Sequence, residues 1–108
     1  MDIKNEIKEI IDTNDICLFM KGTPDAPECG FSMAVSNVLK HLNVKFKGIN
    51  VLERNELRQG IKDYSDWPTI PQLYIKKEFI GGCDIIKEMY ENGELKKKLE
   101  ESSVSFKK

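Results

Sequence analysis

The stretch KGTPDAPECGFS, residues 21 to 32, sets one cysteine, Cys29, between loop-forming residues and a run with helical spacing. A cysteine in the first turn of a helix faces unpaired backbone amides and the positive end of the helix dipole. Both favour the thiolate and lower its pKa from a free value of roughly 8.5. Such a sulfur is a nucleophile or a ligand for a soft metal. Lys21 opens the same loop, and Pro27 and Gly30 flank the cysteine, which suits an exposed thiol better than a core one. Three residues on, where a dithiol redox motif carries its second cysteine, stands Ser32. A hydroxyl cannot form a disulfide, so any exchange chemistry at Cys29 must borrow a second sulfur. Ser32 itself reads as a first-turn serine bonding a backbone group.

In a reducing compartment the abundant second sulfur is glutathione, a tripeptide with two carboxylates, an ammonium and one thiol. The chain has groups to match. Lys21 follows the first strand, and Arg58 and Lys62 lie four apart on one helical face, where they can hold a carboxylate. Each of these cations, taken singly, reads equally as a solvated helix face. Further along, Gly81 and Gly82 permit close backbone approach. The amides around Cys83 and Asp84 then stand at a helix N-terminus, which receives anions. Asp84 can accept from the ammonium, and a simple N-cap explains it equally well. Between these poles TIP, residues 69 to 71, offers an extended backbone edge.

The elements that must position these groups follow from periodicity. Ile3, Ile7, Ile10 and Ile11 predict an amphipathic helix ending near residues 13 to 15, and ICLFM, 16 to 20, a buried strand. Residues 21 to 28 are a loop. Phe31, Val35, Val38, Leu39 and Leu42 predict a helix from Cys29 packed by one face. VKFKGIN, 44 to 50, alternates as a half-exposed strand. Leu57, Ile61 and Tyr64 predict a third helix, stopped by Pro68. QLYIK and EFIGG read as a hairpin turning at Lys76 and Lys77. Asp84 is the expected N-cap of a helix carrying Ile85, Ile86, Met89 and Tyr90, and Gly93 divides it from a last one with Leu95 and Leu99. The tail from about 102 is expected to fray. This order predicts an α/β chain of the thioredoxin fold: a four-stranded mixed sheet flanked by helices, in one domain over 1–108.

Composition narrows the function classes. With 17 Lys and Arg against 18 Asp and Glu, the 108 residues carry a formal charge of −1. No basic stripe with interleaved aromatics is present, which argues against nucleic acid. No apolar stretch is long enough to span a bilayer. The start, MDIKNEIKEI, lacks the apolar run of a secretory signal, and three widely spaced cysteines do not form a disulfide framework. A cytoplasmic setting is expected, with a mitochondrial matrix as the alternative after loss of a presequence. Cys17, inside an apolar strand, reads as core, and the lone His41 as surface near the far end of its helix.

Three linked motifs in order, KGTPDAPECGFS, LRQGIKDYSDWPTIPQLYI and GGCDI, resemble the monothiol glutaredoxins of the CGFS type over nearly the whole chain. The resemblance implies glutathione binding and a 2Fe-2S cluster bridging two subunits, carried to other proteins. By position it makes Cys29 the iron ligand and lines the glutathione site with Lys21, Arg58, Thr69, Ile70, Cys83 and Asp84, with Lys62 beside them. Pro71 matches the family's cis-proline, and Phe31 and Trp67 match its aromatics near the cluster. Four thiolates typically hold such a cluster. Two chains each giving Cys29, with two glutathiones, make four, so a monomer without cluster and a homodimer with it are expected. Recipient apo iron-sulfur proteins and a BolA-like protein are the implied partners. The competing enzymatic reading is a glutathione-dependent oxidoreductase that removes glutathione from proteins through Cys29. A third makes Cys83 the resolving partner of Cys29 in a redox sensor.

Overall fold

A computed structural model describes residues 2–102, so the expectation of a frayed tail lies almost wholly outside the described residues. The chain runs α1 (Ile3–Thr13), β1 (Ile16–Met20), α2 (Gly30–His41), β2 (Lys47–Asn50), a 3-10 turn (Val51–Glu53), α3 (Asn55–Ser65), β3 (Gln72–Ile75), β4 (Glu78–Gly81), α4 (Cys83–Glu91) and α5 (Glu94–Glu101). The sheet order is β2-β1-β3-β4. β1 pairs parallel with β2 and antiparallel with β3, and β3 pairs antiparallel with β4. This is the predicted mixed sheet flanked by helices.

β1 explains why its sequence is an unbroken apolar run: both of its faces are covered. Ile16, Leu18 and Met20 join Val35, Leu39, Ile86, Leu95 and Leu99, beneath α2, α4 and α5. Cys17 and Phe19 point the other way, into Ile7, Ile11, Leu57 and Ile61 of α1 and α3. The hairpin turns at Lys76 and Lys77, whose φ of 48° and 72° give the left-handed pair that a two-residue turn between twisted strands requires.

Three expectations are corrected. β2 starts at Lys47, not at Val44, because the Val44 amide donates to Leu39 O at 3.2 Å and closes the end of α2. Left-handed Asn43 directs the chain there, and Val44 is buried in the α2 core. Phe31 lies off the packed face of α2, 62 % exposed. The buried row is Ser32, Val35, Ser36 and Leu39, one residue out of phase with it. Asp84 is not an N-cap: Gly82 holds that position with extended backbone, and Asp84 stands in the first turn, where a carboxylate still favours the dipole.

Candidate functional site

The loop between β1 and α2 is tethered along its length. Gly22 has φ +87°, and a Cβ on it would lie 2.5 Å from Ala26 O and 2.6 Å from Glu28 N, so only glycine fits. Its amide donates to Asn50 Oδ1 at 3.0 Å, and Glu28 N donates to Lys21 O at 3.0 Å. Pro24 rests on Gly48, where a Cβ would come within 2.5 Å of the proline ring, and Lys40 Nζ donates to Pro24 O. The loop therefore delivers Cys29 as the residue preceding α2, in extended conformation.

Cys29 is half-buried. Its sulfur makes no cap hydrogen bond of ordinary length, and the helix-start amides act on it as oriented dipoles. The Ser32 amide leads in holding the thiol below its ordinary pKa. Partial burial opposes it, while the Phe31 amide, the Lys21 charge and the Ser32 hydroxyl add to the lowering. Ser32 is fully buried, and its Oγ accepts from Lys21 N at 2.9 Å, tying the end of β1 to the first turn of α2.

The other two thiols differ in kind. Burial pushes Cys17 up to about 11, and its Sγ donates to Ile10 O at 3.4 Å, a core residue as expected. Cys83 is also raised, chiefly by burial, with Lys87 opposing and the Asp84 and Cys29 charges contributing. All three cysteines are free. His41 is exposed, at the end of α2 and edge-on to Tyr90.

One cavity of about 420 Å³ opens beside Cys29, and all eight residues singled out from the sequence line it. Lys21 and Cys29 come from the β1–α2 junction, Arg58 and Lys62 from α3, Thr69 and Ile70 from the segment before β3, and Cys83 and Asp84 from the start of α4. Among the described residues Lys21, Arg58, Lys62 and Asp84 make no ion pair. The cavity thus brings together three cations, a thiol of lowered pKa, a helix N-terminus and a carboxylate. The Ile70-Pro71 bond is cis. No group of three or more His, Cys, Asp or Glu able to hold a metal exists among the described residues.

Sequence reasoning missed several residues. Ile85, which the sequence places only among the apolar residues of its helix, is 37 % exposed and lines the cavity. Asn50 and Gln72 carry no sequence signal beyond a polar residue beside an apolar run. Asn50 Oδ1 nevertheless holds both Gly22 N and Leu52 N at 3.0 Å, and Gln72 is fully buried.

Comparison with known proteins places this geometry in context. Residues 16–80 match the glutaredoxin family. The chain is 50 % identical over 103 residues to the chloroplastic monothiol glutaredoxin-S14 of Arabidopsis thaliana, across 95 % of this chain and 60 % of that protein. It is 55 % identical over 97 residues to the probable monothiol glutaredoxin 2 of Rickettsia felis, across 90 % of this chain and 89 % of the relative. In structure it superposes on a monomeric truncated mutant of Trypanosoma brucei 1-C-Grx1 with a TM-score of 0.90 and 40 % identity, covering 100 % and 97 % of the two chains.

Proposed function

Because the chain belongs to the glutaredoxin family, with relatives that are monothiol members at about half identity, we propose that it binds glutathione beside Cys29 and carries 2Fe-2S units between proteins as a cluster-bridged homodimer. The observation that carries the reading is that Cys29 has no resolving thiol in its own helix turn. It is the one cysteine of lowered pKa, it lines a cavity with unpaired cations, and the position of a resolving thiol is a buried serine bonded to Lys21 N.

Glutathione fits the charge layout. One carboxylate meets Lys21, Arg58 and Lys62; the other meets the amides that open α4, with Asp84 accepting from the ammonium. Thr69 and Ile70 flank the middle of the tripeptide. The cluster is cargo: its four ligands come as Cys29 and a glutathione thiol from each of two chains. Half of the ligands are then exchangeable small molecules, which suits release to a recipient apoprotein or a mixed pairing with a BolA-like protein. A reducing compartment, cytosol or organelle matrix, keeps the thiols available.

The lowered pKa of Cys29 also supports a second reading. As an oxidoreductase, the Cys29 thiolate attacks the glutathione sulfur of a protein mixed disulfide and releases the protein thiolate. A second glutathione thiolate then attacks the Cys29 adduct and leaves as glutathione disulfide.

Anaerobic reconstitution with iron, sulfide and glutathione separates the two. A chromophore on a dimer, lost in Cys29→Ser and without glutathione, is the expected result. A colourless monomer that reduces glutathione mixed disulfides would transfer the function to the second reading.

A further inference from the structure

The segment from Asp66 to Pro71 has no regular structure, yet it forms a wall of the cavity through Trp67, Thr69 and Ile70. Backbone carbonyls in such a segment require partners that no ladder supplies. Gln72, the first residue of β3, is 0 % exposed, and its side-chain Nε2 donates to both Trp67 O and Thr69 O at 3.2 Å. Its Oε1 accepts a long bond from Tyr74 OH at 3.4 Å. The Trp67 amide has further anchors in Ser65 Oγ at 3.1 Å and Lys62 O at 3.2 Å. Among the described residues the Thr69 backbone has no other hydrogen bond.

We infer that Gln72 is a positioning residue: its buried amide fixes the course of the wall at Trp67 and Thr69 and thereby sets the cavity's affinity for a thiol peptide. A buried amide whose polar atoms are all engaged specifies one geometry, whereas an apolar residue of the same length fills the volume and leaves two carbonyls without donors. Gln72 is not among the residues lining the cavity, and its side-chain bonds go to Trp67, Thr69 and Tyr74 and to none of the groups that meet the ligand's charges, so it acts through the wall. The ligand in this inference rests on the glutathione reading above; the wall does not.

Trp67 is the only tryptophan, so its fluorescence reports the wall directly in ligand-free protein. In Gln72→Leu, acrylamide quenching of Trp67 is expected to rise and the glutathione dissociation constant to increase about tenfold, the effect of losing roughly one net hydrogen bond to the wall. Gln72→Met is the second variant should leucine fail to fold. Ser36→Ala, which removes a buried hydroxyl without a partner, leaves both readouts unchanged. In the wild type, the Gln72 side-chain amide protons exchange slowly with solvent. Rapid exchange of those protons, or a folded Gln72 variant with wild-type Trp67 quenching, overturns the inference. Increased quenching in a protein whose wild type binds no glutathione keeps the wall and removes the glutathione reading.

Discussion

Arg54 and Arg58 lie one helical turn apart at the start of α3 and meet opposite fates. Arg54 reaches back to α1, where its guanidinium bonds Glu6 at 2.7 and 3.0 Å, and it also pairs with Glu56. Those carboxylates offset the cost of a cation at a helix N-terminus, and the Arg54 guanidinium holds Glu6 below the usual carboxylate range. Arg58 faces the cavity, and no carboxylate answers it among the described residues. Its position in the first turns of the helix gives it no dipole reason to be there, unlike Lys62 in the last turn of α3. The α1–α3 seam satisfies its charges internally; the cavity leaves its charges open. A seam of that kind stabilises the fold, and a rim of that kind awaits an anion.

The largest effect should come from the apolar floor of the seam. Ile7 is fully buried between α1 and α3, against Gly60, so Ile7→Ala is expected to cost about 2–5 kcal/mol in denaturant unfolding. The alkylation profile of Cys29 should stay as in the wild type while the variant remains folded. A change in Cys29 reactivity would mean that seam and site are not separate.

Gly22→Ala should come next, and on the other side of the divide. The positive φ and the backbone contacts around a new Cβ predict a loss of about 1–3 kcal/mol with displacement of the loop that carries Cys29. Wild-type Cys29 is lowered by the Ser32 amide first, so its alkylation rate climbs with pH through a midpoint below that of a free thiol. Cys83, raised chiefly by burial, climbs through a midpoint above it. In Gly22→Ala the Cys29 midpoint should move upward, toward the free thiol, as the sulfur leaves the amides. An unmoved midpoint would show that the loop does not place the cysteine.

Much of this division was legible in the sequence. ICLFM announces a strand covered on both faces, and the spacing of Ile3, Ile7 and Ile11 announces the seam. The site residues were legible because their types are costly to place without purpose: a cysteine at a helix start, glycines in tandem, a proline ending a helix. What stayed hidden were phases and tethers. Apolar periodicity places Phe31 on the packed face, whereas the buried row begins with Ser32, whose hydroxyl is satisfied by accepting from Lys21 N. The strand from Val44 was lost to a helix-end bond, a choice between two partners for one amide that local pattern does not encode. Asn50 holds the amide of Gly22, 28 positions away, so no short window contains its reason. Gln72 bonds carbonyls only three and five positions back, but its burial, which makes those bonds matter, comes from the packed sheet and not from the local pattern.

Arg58→Ala tests the open side with a smaller effect. Losing one charge-assisted contact should raise the glutathione dissociation constant about tenfold, by calorimetric titration, with little change in melting temperature. Lys62→Ala should act in the same direction, and because Lys62 also complements the end of α3, it should lower the melting temperature slightly more. A melting temperature that fell sharply in Arg58→Ala would place that side chain in the fold's support and not in the site.

Arg54→Ala should show the smallest effect. Its ion pairs with Glu6 and Glu56 are solvent-exposed, and such pairs contribute little because water screens them and ordering two long side chains opposes them. Removing the guanidinium also returns Glu6 toward an ordinary carboxylate. The sign follows: a carboxylate lowered in the folded state adds stability above its unfolded pKa and loses it as pH falls through the folded value. The gap in melting temperature between wild type and Arg54→Ala should therefore be small near neutral pH and close further in acid and in high salt. Glutathione affinity and the Cys29 midpoint should not move, because neither carboxylate nor guanidinium reaches the cavity. Equal losses of glutathione affinity in Arg54→Ala and Arg58→Ala would dissolve the distinction between the two arginines, since a long-range field would then account for both.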